Sequence, residues 1–291
     1  MKAPSLADTR TRTAVIAVRR NPLLSAGAVI ALALVAAAVL APLVAPYPQD
    51  AGTAMHAGAI LLAPSWNHPF GTDMFGRDIF TRVLYGARVS LGITGLVLAI
   101  SVAIGVPLGI VAGYFGGFID NVIMRVTDVF LAFPALLLAL AFATVLGAST
   151  RNAVLAIAIA WWPWYARLAR GQAASVAGRG FIEACRALGV GRVRMLWRHV
   201  LPNSLTPLIV SVSLDAGGVI LTAAALSFLG LGAQDPTPEW GLMVSQGQSF
   251  FTTQWWLVTF PGLAIMLTAM AFNLAGDGLR EILDPRRVVT R

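Results

Sequence analysis

Lysine is almost missing from this sequence. Lys2 is the only one among 21 basic residues. A phosphate-binding loop of the G-x-x-x-x-G-K-[ST] kind needs a lysine after its second glycine, so the chain holds no such loop. Cysteine is equally scarce. Cys185 stands alone, which excludes an intrachain disulfide. The three histidines, His56, His68 and His199, are far apart and lack metal-ligand spacing. No Ser–His–Asp arrangement is visible, and no cofactor is expected. Charge is also scarce, at 12% of residues against 57% apolar. A soluble surface carries about twice that share of charge. Lipid must therefore be the solvent over much of this chain.

What is present is a series of long uncharged runs. They cover Pro22 to Val44, Val89 to Tyr114, Val129 to Leu146, Asn152 to Ala166, Thr206 to Leu229 and Trp255 to Leu274. A spanning helix needs about 20 such residues. The expected fold is thus all-α, a polytopic membrane protein with six transmembrane helices. The first run is too long for the apolar core of a signal peptide and reads as an uncleaved anchor. Trp161, Trp162, Trp164 and Tyr165 make an interfacial aromatic cluster at the end of the fourth.

Arginine placement sets the expected orientation. With the N-terminus inside, 17 basic residues fall in inside segments and 4 outside. That asymmetry predicts cytosolic N- and C-termini. It also explains the net charge of +8 without nucleic acid, for which no base-reading motif is present. The partition that follows is a cytosolic segment 1–21, an anchor helix 22–44, an extracytoplasmic segment 45–88, a core 89–278 with a cytosolic loop 173–205, and a cytosolic tail 279–291. The inside connection 115–128 carries Asp120, Arg125 and Asp128 and reads as an ion-paired turn.

Between the fourth and fifth runs lies Gly180-Phe-Ile-Glu183-Ala184-Cys185-Arg186-Ala-Leu-Gly189, then Val190 to Arg198 and His199-Val-Leu201-Pro202-Asn203. Phe181, Ala184, Cys185 and Leu188 fall at helical spacing, so that side is expected to pack while arginines such as Arg186 and Arg192 face water. Gly189 suits a helix-ending turn. Val193, Leu196, Trp197 and Val200 form the apolar side of a second short helix, which Pro202 is expected to close.

Outside, Asp78 and Arg82 stand four apart, as do Asp73 and Arg77, which suits pairing on a helix face, although Gly76 disfavours a helix at the second pair. This polar stretch reads either as an external platform including Asp73, Arg77, Asp78 and Trp240, or as an interfacial amphipathic helix. In the fifth run, Ser211, Asp215, Gly218 and Thr222 make a polar stripe on one helix face. Asp215 is the one acid within a run, where burial costs about 2.5–3.5 kcal/mol. The stripe either lines a translocation path or packs against a partner subunit.

The Glu183–Pro202 segment resembles the EAA loop of bacterial ABC importer permeases: Glu183, Ala184, Gly189, Leu201 and Pro202 match, and Cys185 replaces a second alanine. His68-Pro69-Phe-Gly71-Thr72-Asp73, Leu226-Ser227-Phe228-Leu229-Gly230-Leu231-Gly232 and Phe272-Asn273-Leu274-Ala-Gly276-Asp277 resemble segments of the C-type permease of dipeptide, oligopeptide and nickel importers. The resemblance implies a type I importer fold in the bacterial inner membrane. It implies a second homologous permease, two ATPase subunits and an extracytoplasmic solute-binding protein as partners, with the loop docking on the ATPase. The substrate it implies is a di- or oligopeptide, with nickel, glutathione or another small solute as the alternative. A secondary transporter driven by an ion gradient is the alternative of another class.

Overall fold

The computed structural model describes residues 22–283, so the arginine-rich start and the end of the tail lie outside the described residues. Ten α-helices follow in order: α1 Pro22–Val44, α2 Ile79–Phe115, α3 Gly117–Leu131, α4 Ala135–Leu146, α5 Thr150–Ala177, α6 Gly180–Ala187, α7 Arg192–Met195, α8 Leu201–Phe228, α9 Trp240–Gly247 and α10 Trp256–Leu283. A π-helical turn, Leu196–Val200, joins α7 to α8, so residues 192–228 form one helix of 37 residues.

Among the described residues, four helices are long and apolar enough to cross a membrane: α1, α2, the 192–228 helix and α10. The third expected span is broken. The α3 and α4 helices meet at 87° around Pro134. Proline at that point has no N–H to continue the ladder, and the residue before it is pushed out of the helical region. The expected ion-paired turn at 115–128 is instead a helix. Asp128 pairs with Arg167 and Asp120 with Arg170 Nη2 at 2.6 Å, both on α5, while Arg125 joins neither pair. The fourth run becomes α5, which has spanning length but carries Arg151, Arg167 and Arg170 and is buried along its alanine face.

Backbone contact between α2 and α5 forms the centre. Gly105, Gly109 and Gly113 recur every fourth residue on α2. A Cβ at Gly109 would meet Ala169 Cβ at 2.8 Å and collide with the Ala166 carbonyl; Gly105 and Gly113 meet the turns on either side in the same way. Ile157, Ala169, Ala173 and Val219 fill the core around this seam. At the end that carries α9, Ile79, Ile220, Trp240 and Trp256 form a second cluster. The anchor α1 is mostly exposed, but Gly27 sits against Ala271 and Leu274 of α10, and Gly278 of α10 against Leu24.

Candidate functional site

Three polar or exposed features break the apolar bundle. The first is the elbow at 180–200. The α6 helix ends where Gly189 adopts φ +77°. The Gly189 amide donates to the Arg186 carbonyl at 3.0 Å and the Val190 amide to Cys185 at 3.1 Å, which satisfies the last carbonyls of the helix. Its packing face is only partly the one expected from spacing: Cys185, Leu196 and Val200 pack on the core, but Phe181 and Leu188 do not. Ile182, Met195, Leu196 and Val200 are buried, whereas Phe181, Leu188, Val193 and Trp197 are exposed, Leu188 at 83%. The apolar periodicity was real, but Phe181, Leu188, Val193 and Trp197 stay largely exposed among the described residues. Glu183, Ala184, Arg186 and Arg192 are exposed beside these residues. Arg186 lies over the Tyr114 ring at 5.3 Å, tying the elbow to the end of α2.

Pro202 does not close the second short helix. It occupies the first turn of α8, where a missing N–H is tolerated. The preceding ladder widens instead, and the Leu201 amide reaches back five residues to Leu196.

The second feature is a polar knot at the opposite end. Asp73 accepts from the Phe75 and Arg77 amides at 2.8 and 2.9 Å and holds the Arg77 guanidinium at 2.7 Å. Arg77 also reaches Asp235 at 3.0 Å. The Asp73–Arg77 pair is thus present, in a turn that Gly76 makes at φ +78° rather than on a helix. The expected Asp78–Arg82 pair is not formed. Asp78 caps α2, accepting from the Thr81 amide at 2.8 Å and contacting His68 Nδ1 at 3.0 Å. Arg82 turns to Asp73 at 3.6 Å and to the Asp50 carbonyl at 3.1 Å. Asp50, which sequence reasoning missed, accepts from the Asp78 amide at 2.8 Å.

Glu239 was also missed. It caps α9 through the Leu242 amide at 2.8 Å and accepts from Ser90 Oγ at 3.2 Å. Burial pushes its carboxyl above the usual carboxylate range. Asp235 shows the opposite balance: burial raises it, but Gln246 and Arg77 outweigh that and hold it below the usual range. Trp240 is buried and donates its indole N–H to Val83 at 3.0 Å. Asp73, Arg77, Asp78 and Trp240 are all buried, so they shape this end rather than form its surface.

The third feature is within the bundle. Ser211 Oγ donates to Asp215 Oδ2 at 3.3 Å. Thr222 returns its hydroxyl to the Gly218 carbonyl and is buried. Ser211 and Leu214 line an open groove of about 880 Å³ together with Trp164, Leu168, Pro207, Arg179 and Arg280.

These features coincide with a known family. Residues 105–289 match the family model described as binding-protein-dependent transport system inner membrane component, and residues 9–64 match the N-terminal transmembrane domain of oligopeptide transport permease C. The chain belongs to this family. It is a permease, a multi-pass protein of the inner membrane. The permease is 46% identical over 266 residues to the probable D,D-dipeptide transport permease DdpC of Escherichia coli K12, covering 91% of this chain and 88% of that one. It is 44% identical to the dipeptide permease DppC of Alkalihalophilus pseudofirmus, with 92% and 87% covered. It is 45% identical to the glutathione permease GsiD of Shigella flexneri, with 92% and 88% covered. The permease also shares its fold with the inward-facing MetNI methionine ABC transporter, at TM-score 0.55 and 20% identity, covering 73% of this chain and 98% of that one.

Proposed function

We propose that this permease forms half of the translocation path of an ATP-driven importer for di- and oligopeptides. A second homologous permease completes the path, two ATPase subunits drive it, and an extracytoplasmic binding protein delivers the substrate. Both termini are cytosolic. The observation that carries the reading is the elbow. Phe181, Leu188 and Val193 are exposed apolar side chains on a short, doubly capped turn, flanked by the cations Arg186, Arg192 and Arg194. Exposed apolar groups clustered among charges mark a protein contact. In this reading Glu183, Ala184, Gly189, Leu201 and Pro202 set the elbow's shape, and α8 carries its movement into the bundle. Ser211, Asp215 and Thr222 lie on that same helix, beside the path. The buried knot of Asp73, Arg77, Asp78 and Trp240 holds the surface on which the binding protein rests.

The test is co-purification with the ATPase subunits, followed by peptide uptake and hydrolysis in proteoliposomes. The complex should form, and loaded binding protein should stimulate hydrolysis. Failure to retain ATPase subunits, or uptake that follows an ion gradient without ATP, would overturn the reading. Labelling gives the orientation. With Cys185→Ser in the background, Leu188→Cys should react with an impermeant maleimide only from the cytosolic side.

A further inference from the structure

Arg77, Arg82, Arg88 and Arg151 all lie toward the end of the bundle that carries the buried knot. Arg77 and Arg82 belong to the knot itself. Arg88 and Arg151 are exposed and form no ion pair among the described residues. Each immediately precedes an uncharged run, Val89 to Tyr114 in one case and Asn152 to Ala166 in the other. That is the level at which hydrocarbon gives way to headgroups.

The two arginines are on neighbouring, parallel helices. A Cβ at Gly105, Gly109 or Gly113 of α2 would meet the carbonyls of Trp162, Ala166 and Arg170 of α5 in turn. Ser101 Oγ donates to the Ala158 carbonyl at 3.4 Å, an offset of 57 residues. Applied to Arg151, that offset gives Thr94, six residues past Arg88 and about 9 Å further along the axis.

Both arginines line one open groove of about 580 Å³. On each helix the cation comes first and apolar residues follow: Ile93, Leu96 and Ile100 after Arg88, and Val154 and Leu155 after Arg151. Gly92 is also in the lining, and nothing stands within 4 Å of the Cβ it lacks. No acid lines the groove. An apolar helix laid here would leave both cations unpaired, which is costly next to hydrocarbon. A molecule with an anionic head and a hydrocarbon tail matches the order of the lining.

We propose that this groove holds an anionic phospholipid, with Arg88 and Arg151 on its phosphate and an acyl chain along Ile93, Leu96 and Leu155. A guanidinium binds phosphate through two parallel N–H donors, and its stem lies readily on an apolar wall. The Thr150 hydroxyl is a further donor in the lining. Net charge selects the lipid, because the ammonium of a zwitterionic headgroup opposes the two arginines. In the orientation proposed above the lipid belongs to the outer leaflet.

The test uses the permease with the chains that purify with it, and its readout is independent of what is transported. The protein is reconstituted with phosphatidylglycerol or, separately, phosphatidylcholine, each carrying a diazirine in an acyl chain. After illumination, labelled residues are located by mass spectrometry. In wild type, phosphatidylglycerol should label residues 88–100 and 150–155 at least about five-fold more than phosphatidylcholine does, the preference that one arginine supplies near a membrane surface. Arg88→Gln with Arg151→Gln should bring that ratio close to one and leave labelling elsewhere unchanged. Arg88→Lys with Arg151→Lys should keep most of it. Gly92→Leu fills the groove and should lower labelling of these segments by both lipids. Equal labelling in wild type overturns the proposal, as does a ratio that survives the double glutamine variant. No labelling by either lipid means that another chain covers the groove, which overturns it too. Should the double variant fail to fold, the two single glutamine variants decide by the same ratio.

Discussion

Arg77 and Asp235 are 158 residues apart in the chain and 3.0 Å apart in space. The contact pins the segment before α2 to the loop before α9. It is one strand of a buried knot in which every acid has a hydrogen-bonding partner. Arg77→Ala would remove the guanidinium from the buried Asp73 and leave Arg82, at 3.6 Å, as its nearest cation among the described residues. Breaking a buried pair in this way costs about 3–5 kcal/mol. The expected result is sharply reduced folded permease in detergent. Asp235→Asn removes only the more exposed partner and should cost about 1 kcal/mol or less. Thermal aggregation of the purified variants checks the order.

The same knot predicts opposed pH effects. Asp235 is held below its ordinary range, so its contribution is present at neutral pH and disappears as pH falls through the depressed value. Glu239 is raised by burial, so the stability it contributes is greatest when protonated and declines as pH rises through the raised value. Glu239→Gln keeps an acceptor for the Leu242 amide and should flatten the decline on the alkaline side. Glu239→Ala loses the cap, at about 0.5–2 kcal/mol. Melting curves across pH distinguish the two variants.

The seam between α2 and α5 has no room for a side chain. Gly109→Val should abolish folding or cost at least about 1–3 kcal/mol through overpacking. Gly92→Ala on the same helix is the control. Nothing lies within 4 Å of its added Cβ, and it should be neutral or slightly stabilising. Yield of folded protein by size-exclusion chromatography reports both.

At the elbow, Gly189 has open space around it but a positive φ. Strain, not collision, is therefore the cost of a side chain there, about 1–2 kcal/mol. Gly189→Val should leave membrane insertion intact and raise the ATP hydrolysed per peptide imported. Leu188→Asp should instead weaken retention of the ATPase subunits. Normal stoichiometry in the first and normal co-purification in the second would count against a docking role for the elbow.

The spans were legible because a lipid solvent imposes long uncharged runs on the sequence, and α1, α2, α8 and α10 contain the runs expected. Long-range pairing was not legible. Asp120 and Asp128 find Arg170 and Arg167 some forty to fifty residues on, and local spacing points to nearer partners. The α9 helix was missed because it is eight residues long and begins from a glutamate cap in a proline-rich loop. On the elbow, spacing identified the apolar residues but not their direction. Helical periodicity separates two faces without saying which one meets a different chain. Sequence reasoning missed the seam glycines at 105, 109 and 113, although a small residue at every fourth position is a close-packing signal.

That glycine seam restricts how the bundle moves. Where backbone meets backbone there is no slip plane, so α2 and α5 shift as a single body. Rearrangement must then be taken up at softer joints: the corner around Pro134, the widened turn before Leu201 and the open side of α8. The permease divides into a stiff spine and a jointed flank, and Asp215 is on the flank.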